Sequence, residues 1–195
     1  MTGIGHNGGP SLEPGRAWRA HCWRRARADL LPTLPVEVVR LRVRRAAEIG
    51  LDYRTYAGVR ATTGHDLVAF LFSSNALGLR RAGDAPDPAR VAHLAGLRAI
   101  DLTAAVHRPF DPAGLAQALS QAGLRVTAGA APTLSEGWPQ TRARLRAILA
   151  EVGHPADRVL VIGETGLERD WAAAARFAGF VPADRYFGMA AQAGV

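Results

Sequence analysis

The sequence of 195 residues contains no lysine, and all 24 of its basic residues are arginine. With the abundant alanine, glycine and proline, this points to a GC-rich coding sequence. The net charge of +7 is therefore weaker evidence for a nucleic-acid partner than a mixed Lys/Arg cluster would be. Cysteine is almost missing, with Cys22 standing alone. A lone cysteine excludes an intramolecular disulfide framework and fits a reducing cytoplasm, and the neighbouring His21 supplies too few ligands for zinc. No apolar run approaches the ~20 residues of a spanning helix, so no membrane span is expected. Residues 1–14 are rich in glycine and proline without a hydrophobic stretch, which reads as a flexible tail and not as a secretory signal. Neither common glycine-rich nucleotide loop is present, and no internal repeat is found.

What is present is enough apolar material, 48% of residues, for one globular core with a helical appendage. The charge is uneven. Residues 1–64 hold 11 arginines and 5 acids, whereas residues 65–195 hold 13 and 12. Codon usage alone does not place the excess in one third of the chain. Residues 15–31 read as a helix, with Trp18, Cys22 or Trp23, Ala26 and Leu30 at helical spacing until Pro32 and Pro35. Residues 36–49 carry two patterns. Val39, Leu41 and Val43 alternate with Arg40, Arg42 and Arg44 as in a strand, but Val36, Val39, Val43 and Ala46-Ala47 also share a helical face. Good helix formers at residues 45–48 and a stop at Gly50 favour the helix. A third short helix is expected over Tyr53–Ala61. This basic segment, residues 15–64, offers a nucleic-acid surface over 16–60, with Arg24, Arg25, Arg40, Arg44 and Arg45 as phosphate contacts. The alternative is a solvated helical face.

From Asp66 onward the pattern alternates. Strands are expected at Leu67–Phe72, Ala99–Val106, Leu124–Ala128 and Val159–Ile162. Helices lie between them, opened by Asp87-Pro88 and Asp111-Pro112 in the order of a cap followed by a first-turn proline, and continued by residues 141–152 and 171–178. Gly179 is read as the left-handed stop of the last helix. Trp138 is read as a packing anchor, and Asp101 as either a polar-face residue or the partner of an arginine. Residues 181–195 form a tail docked by Tyr186 and Phe187. The pattern predicts an α/β fold: a small three-layer parallel sheet of about four strands, Rossmann-like, over residues 65–195.

In such a sheet ligands gather at the carboxyl ends of the strands. Ser73, Ser74 and Asn75 follow one strand, His107 another, and Gly163 and Thr165 a third, so these six are the candidate ligand or anion contacts. Turn and cap chemistry is the plainer reading of the serines and Asn75. His107 is either a ligand-facing base or a loop histidine with no identifiable partner. Ser73, His107 and Gly163 are expected to end neighbouring parallel strands, and a carboxylate within ~4 Å of both Ser73 and Glu164 would mark a shared site.

Gly163-Glu164-Thr165-Gly166-Leu167-Glu168, followed by Ala173-Ala174 and Ala178-Gly179-Phe180, resembles the fourth motif of the haloacid dehalogenase superfamily. That motif reads Gly-Asp-Thr, two residues, an acid, and an alanine-rich helix. Residues 68–75 similarly resemble its second motif, a hydrophobic strand ending in Ser or Thr, often followed by Asn. The resemblance implies a HAD-like fold and magnesium held by Glu164 and Glu168. The superfamily's nucleophile, the first acid of an Asp-x-Asp pair after the first strand, has no counterpart upstream of Val68, where Asp52 is the nearest approach. The lysine of its third motif is also missing. Three functions follow. The first is a non-catalytic relative that binds a partner or a small anion. The second is a magnesium-dependent phosphohydrolase, and the third a nucleic-acid-associated protein using its N-terminal helices.

Overall fold

The computed structural model describes residues 34–193, with side chains as far as residue 188. The chain divides into two compact units, Met1–Val39 and Arg40–Val195, and the second holds the sheet. Helices α1 (Val36–Glu48) and α2 (Tyr53–Thr63) come first. They are followed by β1 (Ala69–Ser73), a 3-10 turn at Asn75–Leu77, α3 (Pro88–Ala95), β2 (Asp101–Val106), α4 (Pro112–Gln121) and β3 (Val126–Ala130). The chain continues through α5 (Trp138–Ala150), β4 (Val159–Gly163), α6 (Gly166–Ala175), β5 (Gly179–Pro182) and α7 (Ala183–Ala193). The five strands pair in parallel in the order β3-β2-β1-β4-β5. The architecture is thus the α/β parallel sheet expected from the sequence, with five strands in place of four.

Strand alternation sorts the core onto two faces. Phe70, Phe72, Leu102, Ala104, Leu160 and Ile162 point one way and join Ile49, Tyr56, Leu94, Leu115, Leu119 and Tyr186 from the surrounding helices. Ala69, Leu71, Ala105, Val159 and Val161 point the other way, under Leu145, Ile148 and Leu149 of α5 and Trp171 and Ala175 of α6. Both faces of β1 and β4 are covered, which is why these strands read as continuous apolar runs. Gly129 in β3 lets α5 close on the sheet, since a Cβ there would lie 2.6 Å from Ile148 Cγ1. Asp87 and Asp111 cap α3 and α4, each followed by proline, as the sequence predicts.

Several local expectations are corrected. The helix after β4 ends at Ala175, where Arg176 takes the left-handed conformation, and Gly179 opens the fifth strand instead of stopping the helix. That strand has only four residues, too few for a two-residue period to show. The following segment is helix α7, with Tyr186 fully buried. Trp138 stands at the start of α5 and is 58% exposed, so it anchors nothing. Asp101 finds a histidine partner, with His154 Nε2 at 2.6 Å from its Oδ2. Residues 36–48 are helical as favoured, but Val36 and Val43 are exposed and the buried side begins at Ala46.

β1, β2 and β3 are laid down outward in one direction, and α5 then returns the chain to the far side of β1, where β4 and β5 follow. The order reverses between β1 and β4. A crevice opens beyond the carboxyl ends at such a reversal.

Candidate functional site

Ser73 ends β1, His107 follows β2 and Gly163 ends β4. In the pairing Ser73 stands beside Ala105, and Phe72 beside Ile162. The three residues therefore terminate adjacent parallel strands at the carboxyl end of the sheet. At their centre lies the carboxylate of Glu168, fully buried in the first turn of α6.

Thr165-x-x-Glu168 is a capping box. The Thr165 hydroxyl accepts the Glu168 N–H at 3.2 Å, and Glu168 Oε2 accepts the Thr165 N–H at 3.0 Å and the Glu164 N–H at 2.5 Å. The other oxygen, Oε1, accepts Asn75 Nδ2 at 2.7 Å and lies 2.9 Å from His107 Nε2. The Ser73 hydroxyl accepts the Ala76 N–H at 3.1 Å and lies near enough to Glu168 to favour its charge. The Ser74 hydroxyl accepts the His107 N–H at 3.1 Å, which ties β1 to the residue after β2. Burial is the largest influence on Glu168 and disfavours its charge. Hydrogen bonds from His107, from the Thr165 and Glu164 amides and from Ser73 together outweigh it and hold the carboxyl down at about 2. Glu168 is thus the carboxylate close to both Ser73 and Glu164. Gly163 makes room for it, because a Cβ there would sit 2.7 Å from Glu168 Oε2 and 3.0 Å from Phe180.

The His107 ring stacks on Trp171 with centroids 5.4 Å apart. Since an ionised carboxylate only accepts, His107 Nε2 carries the hydrogen in this pair. Its other nitrogen, Nδ1, makes no hydrogen bond to the described residues. Outside the Glu168 network lies a cavity of about 500 Å³, lined by Asn75, His107, Arg108, Thr133, Arg144 and Thr165 together with Val106, Ala130, Ala131, Pro132, Leu134 and Leu167. Arg144 is spent on Glu136, 2.7 Å away. Arg108 is exposed and has no hydrogen-bond or ion-pair partner among the described residues.

Glu164 turns away from Glu168. Arg80 holds it with two bonds, at 2.9 and 2.8 Å, and Arg90 Nη1 lies 3.2 Å from it. Arg90 also donates to the Ala76 carbonyl at 2.6 Å and stacks on Phe187. One acid of the expected magnesium pair is therefore saturated by hydrogen bonds and the other is flanked by two guanidiniums. That donor set does not suit a hard cation, which wants open carboxylate oxygens. Among the described residues no group of three or more His, Cys, Asp or Glu gathers to hold a metal.

The structure brings Ser73, Asn75, His107, Gly163, Thr165 and Glu168 together. Ser74 adjoins them as a structural bond. Arg80, Arg90 and Trp171 are not marked in the sequence, and nothing local to them signals their partners, whereas Arg108 stands with His107 at the end of the second strand, as its place in the sequence implies. The capping box could have been found from its spacing. Of the basic candidates, Arg24 and Arg25 lie outside the described residues. Arg45 donates to the carbonyls of Leu67, Arg98 and Ala99 and to Asp66, so its guanidinium is a brace between α1 and the sheet. Arg40 and Arg44 are exposed. Among the described residues no helix is long and apolar enough to cross a membrane.

Comparison with protein-family models, with curated proteins and with solved structures gives no match.

Proposed function

We propose that this chain is a non-catalytic relative of the haloacid dehalogenase superfamily that works by binding a small anion at the crevice over β1, β2 and β4. The observation that carries the reading is the residue set after β1. Helices α1 and α2 precede it, so β1 is the first strand among the described residues. In the resemblance, an Asp-x-Asp nucleophile pair belongs directly after the first strand. Here that place is taken by Ser73-Ser74-Asn75. The stretch likened to a second motif is then better read as a first motif that has lost both acids. A buried serine and an amide offer no carboxylate to accept a phosphoryl group. The acid of the fourth motif, Glu168, serves as an internal anion in the turn, bound by the backbone N–H groups that would otherwise face a ligand. What stays open to a ligand is the cavity beside it, with Arg108 and His107 at its wall.

The test is turnover of p-nitrophenyl phosphate with magnesium, alongside isothermal titration with inorganic phosphate and with acetate. No turnover, together with anion binding that weakens in Arg108→Gln, is the expected result. Turnover that disappears in Glu164→Ala would show the phosphohydrolase reading to be the right one.

A further inference from the structure

We propose that the cavity selects an organic acid of one negative charge, with an apolar body and an N–H donor beside the acid, as in an N-acylated apolar amino acid. The inference rests on the binding-site reading above and specifies its ligand.

Each part has a separate source. The charge comes from Arg108, a residue of the cavity wall whose guanidinium has no partner among the described residues and whose planar fork suits a carboxylate through two parallel bonds. A phosphate dianion would call for further donors. The Glu164 and Thr165 amides of the adjoining turn are already bonded to Glu168, and Arg144 is bonded to Glu136. A single positive group matches a single charge.

The donor comes from His107. Its Nε2–H is fixed on Glu168 and its ring is held against Trp171, so in the neutral imidazole Nδ1 is an acceptor of fixed direction. A ligand that meets the neutral ring there must bring a hydrogen. His107 and Arg108 are neighbours in the chain, which places that hydrogen next to the acid. The Thr165 hydroxyl accepts from Glu168 N–H, leaving its own hydrogen free for a carbonyl such as an acyl oxygen. The body is set by the remaining wall: Val106, Ala131, Pro132, Leu134 and Leu167. Leu134 is 87% exposed, an apolar side chain at the rim that none of the described residues covers. A volume of about 500 Å³ has room for a body well beyond a single carboxylate.

Isothermal titration of the full chain with N-acetylphenylalanine and four relatives tests this. 3-Phenylpropanoate lacks the donor, N-acetylglycine the body and N-acetylphenylalaninamide the charge, and phenyl phosphate exchanges the acid for a phosphate. The expected result is that N-acetylphenylalanine binds more tightly than each of the others: about tenfold or more over the amide, the factor a lost hydrogen bond to a charged group gives, and about fivefold over 3-phenylpropanoate, whose lost bond is to a neutral ring. Leu134→Ser, on an exposed side chain, should remove the advantage over N-acetylglycine, and Arg108→Gln the advantage over the amide. Equal binding of 3-phenylpropanoate, or tighter binding of phenyl phosphate, overturns this ligand class and leaves the crevice as an anion site. If none of the five binds and neither phosphate nor acetate does, the binding-site reading itself falls.

Discussion

His107 Nε2 meets Glu168 Oε1 at 2.9 Å across a sequence separation of 61 residues. The same oxygen takes Asn75 Nδ2 from 93 residues away. One carboxylate therefore fastens together the turns after β1, β2 and β4. The bonds all require it to be ionised, and burial makes any unsatisfied member costly. The carboxylate belongs to the frame of the crevice and is not a group offered to a ligand.

This gives Glu168 a measurable pH signature. Its carboxyl is lowered in the folded chain to about 2 from an ordinary 4.5. A lowered acid contributes stability that is fully present above its unfolded value and is lost as pH falls toward its folded value. Stability should accordingly decline between pH 4.5 and about 2. Glu168→Gln should flatten that decline. It should also destabilise at neutral pH by about 3 kcal/mol, since the amide must turn its own NH2 toward donors at one end. Urea midpoints measured against pH for both proteins check both statements.

Gly163 is the steric condition for this arrangement. Gly163→Ala would place a methyl 2.7 Å from Glu168 Oε2 and 2.9 Å from its Cβ, so the side chain or the β4 backbone must move. The expected cost is about 1–3 kcal/mol, as for other overpacked positions. Because Glu168 would shift, His107 should lose its orientation. The imidazole resonances in a proton–nitrogen NMR spectrum should therefore move in Gly163→Ala. They should stay put in Gly129→Ala, where the crowding falls on Ile148.

The sheet was legible because β1 and β4 are covered on both faces and leave apolar runs, and β2 between its neighbours carries only Asp101 and Thr103 as polar residues. Once parallel pairing is assumed, their carboxyl ends follow, and with them Ser73, His107 and Gly163. The role of Glu168 was harder to see. Thr165-x-x-Glu168 has the spacing of a capping box, but an acid after a Gly-Glu-Thr turn equally fits a metal ligand, and only burial separates the two. The partner of His107 comes from a distant turn and has no local mark. β5 escaped notice because its four residues begin with glycine and end with proline, both poor strand signals.

Arg45 and Arg44 look alike in the sequence and differ in the structure. Arg45 hydrogen-bonds three carbonyls and Asp66, while Arg44 is exposed. Arg45→Ala should cost about 2 kcal/mol by orphaning those acceptors, and Arg44→Ala within about 0.5 kcal/mol of nothing. Thermal melts distinguish them. If residues 16–60 contact nucleic acid, Arg44→Ala should weaken binding and reduce its salt slope without changing the melt, whereas a flat salt dependence in the parent protein would remove that function.

His93 supplies a second acid-sensitive point, away from the crevice. It packs edge-on against Tyr186 and Phe187, and its buried Nε2 has no hydrogen-bond partner among the described residues. Burial pushes its imidazole below the ordinary 6.5. As pH falls through 6.5 the unfolded chain takes up a proton that the folded chain resists, so stability decreases. A leucine keeps the apolar contact and removes both the orphaned nitrogen and the titration. A phenylalanine would drive its extra carbon toward Gly50, where even a Cβ would lie 2.8 Å from the present ring nitrogen. His93→Leu should therefore be at least as stable as the parent at neutral pH and gain on it in mild acid. The added gain should be under about 1 kcal/mol, because the ring is only half-buried and solvent screens part of the effect. Parallel denaturation curves on either side of pH 6.5 decide the matter, and an unchanged difference between them would mean the folded chain protonates His93 freely.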